Sequence, residues 1–223
     1  METKYQVIAL IGEAGAGKDT IQQATCQLHP LLFHSIVSCT TRPKRGNEKD
    51  GVDYHFITLE DFTRKVLNGD MMEATEFNNW FYGTPINSLV KDKINIGVFN
   101  PAGVEALLED SRLNVTVVRV NCSEKTRLMR CLSREENPNC EEICRRYFAD
   151  KKDFSTMDID EYYVIESFDG SSTDLLDEFN SNMEWFKEMW NDLENAPSFD
   201  TIMRWDSAKV TKGESNNNKD NND

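Results

Sequence analysis

Three groups of residues in this 223-residue chain have types and spacings suited to phosphate chemistry. The first is Gly12-Glu13-Ala14-Gly15-Ala16-Gly17-Lys18-Asp19-Thr20. Its glycines let backbone N–H groups curl around phosphate oxygens with no Cβ in the way. Lys18 adds a mobile positive charge for the β- and γ-phosphates. The second group lies in a polar loop, where Arg42 and Arg45 stand three residues apart and can both reach one phosphate dianion. The third is an arginine cluster: Arg127, Arg130, Arg134, Arg145 and Arg146. Two basic islands and a glycine-rich turn, in a chain of formal charge −14, imply a small anionic ligand held between them. The same net charge argues against non-specific nucleic-acid binding, which needs a basic surface.

These residues need a scaffold. Val7-Ile8-Ala9-Leu10-Ile11 reads as a buried strand, and residues 21–28 read as an amphipathic helix. Strand, glycine turn, lysine and helix make the P-loop arrangement, in which the helix N-terminus contributes its dipole and free N–H groups. The helix should stop at His29-Pro30, since the residue before proline avoids the α region. The pattern then predicts a strand over 33–38, a short strand over 54–57 and a helix over 59–67 closed by Asn68-Gly69. A hairpin of 72–77 with 80–84 follows, and Pro85 opens a helix over 86–92. Residues 34–90 thus read as a small, largely antiparallel insert. The parallel core resumes with a strand at 94–99, a helix at 101–110 and a β-branched strand at 115–120. Helices at 124–134 and 141–152 and a last core strand at 162–165 come next. A helix over 174–193 carries the stripe Phe179, Met183, Phe186 and Trp190, which suits packing. From Lys209 the chain has too few apolar residues to offset its ordering entropy.

No stretch approaches the roughly 18–20 apolar residues that span a bilayer. The first apolar run, from Tyr5, is too short for a signal peptide, so a cytoplasmic protein is expected. Cys26, Cys39, Cys122, Cys131, Cys140 and Cys144 include no CxxC pair. Cys140 and Cys144 could share a helix face, but no His or second cysteine pair completes a metal site. Reduced thiols are expected.

Two runs are more specific than the P-loop. Ser38-Cys39-Thr40-Thr41-Arg42-Pro43-Lys44-Arg45-Gly46, followed by Gly51-Val52-Asp53-Tyr54-His55-Phe56, resembles the GMP-binding segment of guanylate kinases. So do Glu73 with Phe77, and Tyr82-Gly83-Thr84. The resemblance covers residues 5–170. It implies an α/β fold: a P-loop parallel sheet core flanked by helices, with a small mixed β/α acceptor-binding insert and a helical lid. The division is core at 1–33, 91–125 and 156–205, insert at 34–90, lid at 126–155 and an acidic disordered tail at 206–223. The implied activity is phosphoryl transfer from ATP to GMP or dGMP with Mg2+, without a covalent enzyme intermediate. Small-molecule nucleotides are the expected partners, with no nucleic acid and no membrane, in a monomer or homodimer.

The resemblance also assigns residues. Gly12 to Thr20 take the ATP phosphates, and Arg42 and Arg45 with Tyr54 and Tyr82 hold the acceptor phosphate. A carboxylate at Glu73 can accept from guanine N1–H and the 2-amino group together, a pair of donors adenine lacks. Ser38 can donate to O6, and Thr84 adds a contact. A site built this way rejects analogues that leave a buried carboxylate unpaired. Arg130, Arg134 and Arg146 match the family's lid arginines by spacing, with Arg127 and Arg145 in the same cluster. Lid closure would neutralise phosphate charge and exclude water. Some of these arginines can instead pair with Glu135, Glu136, Glu141 or Glu142 at helical spacing.

Three positions depart from the pattern. Asp19 stands where the P-loop hydroxyl is usual, Asn100 where a strand ends in Asp, and Glu166-Ser167 where Asn is usual. The first two suggest a carboxylate relocated to Asp19, the candidate magnesium ligand, with Asn100 as its neutral partner. Alternatively Asp19 only favours the helix dipole. In the family the matching Asp helps read the guanine amino group, so Asn100 implies relaxed or shifted base selectivity. A Gly-Lys-Asp loop with that Asn also resembles ribose bisphosphate phosphokinases, and Gly-Lys-Asp-Thr resembles phage deoxynucleotide kinases. A reading of another class is a catalytically inactive guanylate-kinase-like module that binds a protein. Lys18 and the lid arginines argue against it.

Overall fold

The chain is built around a strand with no wet face. In β1 (Tyr5–Ile11), Val7, Ile8, Ala9, Leu10 and Ile11 are all fully buried. A strand buried on both faces belongs inside a parallel sheet covered by helices. The structure is a computed structural model and describes residues 4–46, 48–77, 79–134, 136–157, 159 and 162–167.

After β1 come α1 (Lys18–Leu28), β2 (Phe33–Ser35), β3 (Cys39–Thr40), β4 (His55–Phe56), α2 (Leu59–Leu67), β5 (Met71–Phe77) and β6 (Trp80–Pro85). Then follow β7 (Ile94–Val98), α3 (Pro101–Glu109), β8 (Leu113–Cys122), α4 (Glu124–Leu132), α5 (Cys140–Ser155) and β9 (Tyr163–Ser167). The main sheet has the order β2-β7-β1-β8-β9 and every pairing in it is parallel. Alternate residues of β1 feed two cores. Ile8 and Leu10 pack with Ile21 of α1, while Val7, Ala9 and Ile11 pack with Val104 and Leu107 of α3. The order of crossovers places the P-loop, Asn100 and α4 at the carboxyl ends of β1, β7 and β8. That end of an open parallel sheet is where ligands bind.

The second sheet has the order β4-β3-β6-β5. Its β3–β4 pair is parallel and the others antiparallel, so the insert is mixed. The starts of α2, α3, α4 and α5 carry side-chain caps. Thr58, Asn100, Ser123 and Asn139 accept from the N–H groups of Asp61, Gly103, Thr126 and Glu142. Each satisfies a donor that the first helical turn cannot.

Two expected elements differ. The strand predicted over 33–38 divides: β2 ends at Ser35, the Ile36 N–H still donates to Ile96 O, and Cys39 and Thr40 join the second sheet. His34 and Ser35, beyond the expected core boundary at 33, therefore pair in the core sheet. The helix predicted over 86–92 is one 3-10 turn, Ile86–Ser88. The buried Asn95 amide accepts from Val90 N–H at 2.8 Å and donates to Val90 O at 2.9 Å, taking backbone groups a longer helix would use. The predicted helix over 174–193, its aromatic stripe and the tail lie outside the described residues. Among the described residues no helix is long and apolar enough to cross a membrane. All six cysteines are free thiols, with Cys140 and Cys144 exposed on α5.

Candidate active site

The P-loop turns where β1 runs out. Gly12 and Gly15 adopt φ of 149° and 82°, and a Cβ there would lie 2.5 Å from Val120 O and 2.6 Å from Arg127 O. Backbone from β8 and α4 thus presses on the loop at both points, and only glycine fits. Lys18 curls back to donate from Nζ to Gly12 O at 2.6 Å and Glu13 O at 3.1 Å. Burial lowers its pKa, opposed by the charges of Asp19 and Asp150. The Ala14 N–H donates to Asp150 Oδ2 on α5 at 2.6 Å. Burial raises the Asp150 carboxyl, opposed by that N–H and by Lys18 and Arg146.

A cavity of about 200 Å³ runs from this loop toward the second sheet. Its walls include Gly12, Ala14, Lys18 and Asp19 on one side and Arg42, Arg45, Tyr54, Glu73 and Tyr82 on the other. A wider space of about 570 Å³ shares Asp19, Ser38, Arg42, Arg45, Tyr54 and Arg146 with it.

The arginine loop is already neutralised. Buried Arg42 holds Glu48 in a bidentate pair, both contacts at 2.6 Å, and lies 5.0 Å from the centre of the Tyr54 ring. Its Nε is buried with no partner. The Arg45 N–H also donates to Glu48, at 2.8 Å, while its guanidinium reaches Glu142 of α5 at 3.4 Å. The Tyr54 and Tyr82 rings meet edge to face at 6.0 Å. Burial, aided by the Asp19 charge, pushes Tyr54 up to about 12, so both its proton and its donor capacity stay in place.

Glu73 faces Thr84 across the β5–β6 pair and is only 6% exposed, which makes it a deeply buried carboxyl. Burial pushes its pKa up to about 7, opposed by the Thr84 hydroxyl, which donates to it at 2.7 Å. With Glu73 ionised that hydroxyl's one proton is committed, so in its 2.7 Å contact with Ser38 it accepts. Thr84 therefore lies behind the cavity and connects Ser38 to Glu73. Ser38, which lines the cavity, must leave Thr84 before it can donate to a base carbonyl. Asn100 is held from both ends: Oδ1 accepts from Gly103 N–H at 2.7 Å, and Nδ2 donates to Thr75 at 3.2 Å. Its amide thus turns a donor toward β5.

The expected lid arginines separate. Arg146 lines both cavities and Arg134 the larger one. Arg130 instead donates to Gly15 O and Ala16 O at 3.2 and 3.3 Å, bracing the P-loop. Arg145 makes a bidentate pair with Glu142, the helical pairing its spacing allows. Arg127 is buried against the P-loop, 3.8 Å from Glu13. Thr20 is exposed at the start of α1. Sequence reasoning missed Glu48, Thr75 and Asp150. Glu48, three residues after Arg45, was visible as a loop partner, whereas nothing local marks Asp150.

A sequence-family model described as guanylate kinase matches residues 4–182. The chain belongs to the guanylate kinase family. It is 42% identical over 110 residues to a guanylate kinase of Frankia casuarinae, covering 49% of this chain and 55% of that one. With a guanylate kinase of Synechococcus sp. it shares 34% over 144 residues, covering 65% of this chain and 60% of the relative. The chain spans about half the length of the curated relatives it matches. The crystal structure of guanylate kinase from Anaplasma phagocytophilum shares the fold, with a TM-score of 0.60 at 21% identity, over 87% of this chain and 92% of that one. The parallel core flanked by helices is thus the guanylate kinase architecture.

Proposed function

We propose that this protein moves the terminal phosphate of ATP to GMP or dGMP, giving ADP and the guanosine diphosphate. One observation carries the reading: a single cavity is walled by the P-loop and Lys18 on one side and by Arg42, Arg45, Tyr54 and Glu73 on the other. Two nucleotides entering from opposite ends would meet phosphate to phosphate. Residues 12–20 are assigned to the ATP phosphates, with Lys18 neutralising charge on the transferred group. Arg42, Arg45, Tyr54 and Tyr82 are assigned to the acceptor phosphate. Glu73 reads guanine as an ionised acceptor, with Ser38, Thr84 and Asn100 around it. Arg146 and Arg134 add positive charge from the lid, and Arg130 acts through the P-loop backbone it braces. The acceptor phosphate is already a nucleophile near neutral pH, so no strong general base is required.

The residues also fit a magnesium ion. Among the described residues, no three His, Cys, Asp or Glu side chains cluster into a cage. Mg2+ needs none, since it keeps several waters and takes one or two carboxylates with phosphate oxygens. Asp19, on the cavity wall beside Lys18, is the carboxylate assigned to it. When bound, the ion neutralises charge on the β- and γ-phosphates.

The test is ADP release with ATP, Mg2+ and each of GMP, dGMP, AMP, dTMP and ribose bisphosphate. ADP is expected with GMP or dGMP. No ADP with either sinks the reading.

A further inference from the structure

The P-loop already holds an anion supplied by the protein itself. Asp150 Oδ2 accepts the Ala14 N–H at 2.6 Å. That N–H belongs to the loop whose backbone donors make a nest for phosphate oxygens. Asp150 also lines the cavity, within the fields of Lys18, Arg146 and Arg127. It sits one turn after Arg146 on α5, so both side chains project from one helix face into the same space. Lys18 meanwhile points its ammonium at Gly12 O and Glu13 O. A carboxylate oxygen on a P-loop amide has the charge, donor and approach that a phosphate oxygen requires. The two cannot share that amide, and they repel.

We propose that Asp150 is a built-in competitor of the nucleotide phosphates, expelled when a triphosphate enters, so that ATP binding and movement of α5 are coupled. The inference rests on reading the cavity as the ATP site. Expulsion of Asp150 carries Arg146 with it, because the two share one helix face. The empty state is thereby held by a charge-assisted hydrogen bond, and the triphosphate replaces that bond with several of its own.

The experiment measures dissociation constants for inorganic tripolyphosphate, a non-hydrolysable ATP analogue with and without Mg2+, and GMP. Proteins compared are the full chain and its Asp150→Ala and Asp150→Asn variants, each first checked for an intact fold by circular dichroism and thermal melting. The expected result is that Asp150→Ala binds tripolyphosphate and the analogue about tenfold more tightly, with GMP unchanged. Asp150→Asn, which keeps an acceptor for Ala14 N–H but loses the charge, should fall between. Unchanged or weaker tripolyphosphate binding in both variants overturns the proposal. So does weakening of the analogue only when Mg2+ is present, which would make Asp150 a metal ligand. If the variants tighten on tripolyphosphate but no protein phosphorylates GMP, Asp150 stands as a competitor and the kinase reading falls. If the wild type is an active kinase and the variants bind no more tightly, the reverse holds.

Discussion

The arginine loop and the P-loop each bind a protein carboxylate, but the two arrangements differ in reach. Arg42 and Glu48 are six residues apart and meet within one loop. Ala14 and Asp150 are 136 residues apart and meet because α5 lines the cavity beside the P-loop. The first contact survives any motion that leaves the loop intact. The second breaks as soon as α5 moves. On the proposed reading, the acceptor arginine Arg42 is held within its own loop, whereas the donor-side amide of Ala14 is held by α5. Under the proposed function this division would suit two-substrate transfer, because preorganised positioning lowers the barrier while the proposed movement of α5 would admit and then enclose the triphosphate.

The largest effect expected is on the donor side. Lys18→Met should lower turnover by about 10³-fold, or about 4 kcal/mol, because one cation facing the transferred charge is removed. GMP affinity should stay within about twofold, since the hydrogen bonds of Lys18 among the described residues are to the P-loop. Steady-state kinetics and GMP titration check this. A comparable loss of GMP affinity would show that the two sides are not separable.

On the acceptor side the contrast lies between two neighbouring arginines. Arg42 is buried with Glu48, and removing it leaves that half-buried carboxylate with the Arg45 N–H but without its bidentate charged partner. Arg42→Met should cost about 3 kcal/mol of stability. Among the described residues the guanidinium of Arg45 makes an exposed 3.4 Å pair with Glu142, so Arg45→Met should cost under about 1 kcal/mol. Both should raise the KM for GMP. Denaturant melts that give equal costs would refute a preorganised, locally held acceptor loop.

The same contrast explains what could be read from sequence. β1 was legible because five successive apolar residues admit little but a buried strand, and the β5–β6 hairpin because its alternation and Asn turn are local. The Arg42 loop and Glu73 were legible through motif and residue chemistry. The 3-10 turn at Ile86–Ser88 was not, because Asn95 takes the Val90 backbone from outside the segment. Arg130 and Arg146 have the same type in the same cluster, yet one braces the P-loop from α4 and the other lines the cavity from α5. Helical spacing says which residues share a face but not what that face meets. Asp150 lay furthest from view, since its partner is a backbone N–H and backbone donors leave no mark in a sequence.

Glu73 offers a finer test of acceptor-side preorganisation, through pH. Burial raises its pKa from 4.5 to about 7, so the unfolded chain loses this proton first. Stability from this group is thus present at low pH and falls as pH rises from 4.5 to 7. The whole effect is on the order of 3 kcal/mol. Glu73→Gln should match the wild type near pH 4 and exceed it in melting temperature at pH 8. The proposed guanine recognition has the opposite sign: it would need the ionised carboxylate, so GMP binding should tighten through pH 7 in the wild type and lose that component in Glu73→Gln. A variant no more stable than the wild type at pH 8 would mean that Glu73 is ionised without cost.

The smallest effects concern Asp19 and Asn100, which both line the cavity. Asn100 is engaged by Gly103 N–H and Thr75, so its first duty is to cap α3. Asn100→Ala should therefore cost about 1 kcal/mol of stability and change turnover only a few-fold. Asp19 starts α1 exposed to the cavity, and no side-chain cap bond holds that helix start. If it carries the magnesium carboxylate, Asp19→Ala should lower turnover at least tenfold at limiting Mg2+, with partial recovery at high Mg2+. A dipole contact alone predicts a small stability loss and no dependence on Mg2+. Turnover measured across a Mg2+ titration separates the two. Equal, small losses in Asp19→Ala and Asn100→Ala would leave the relocated carboxylate without support and return Asp19 to the helix dipole.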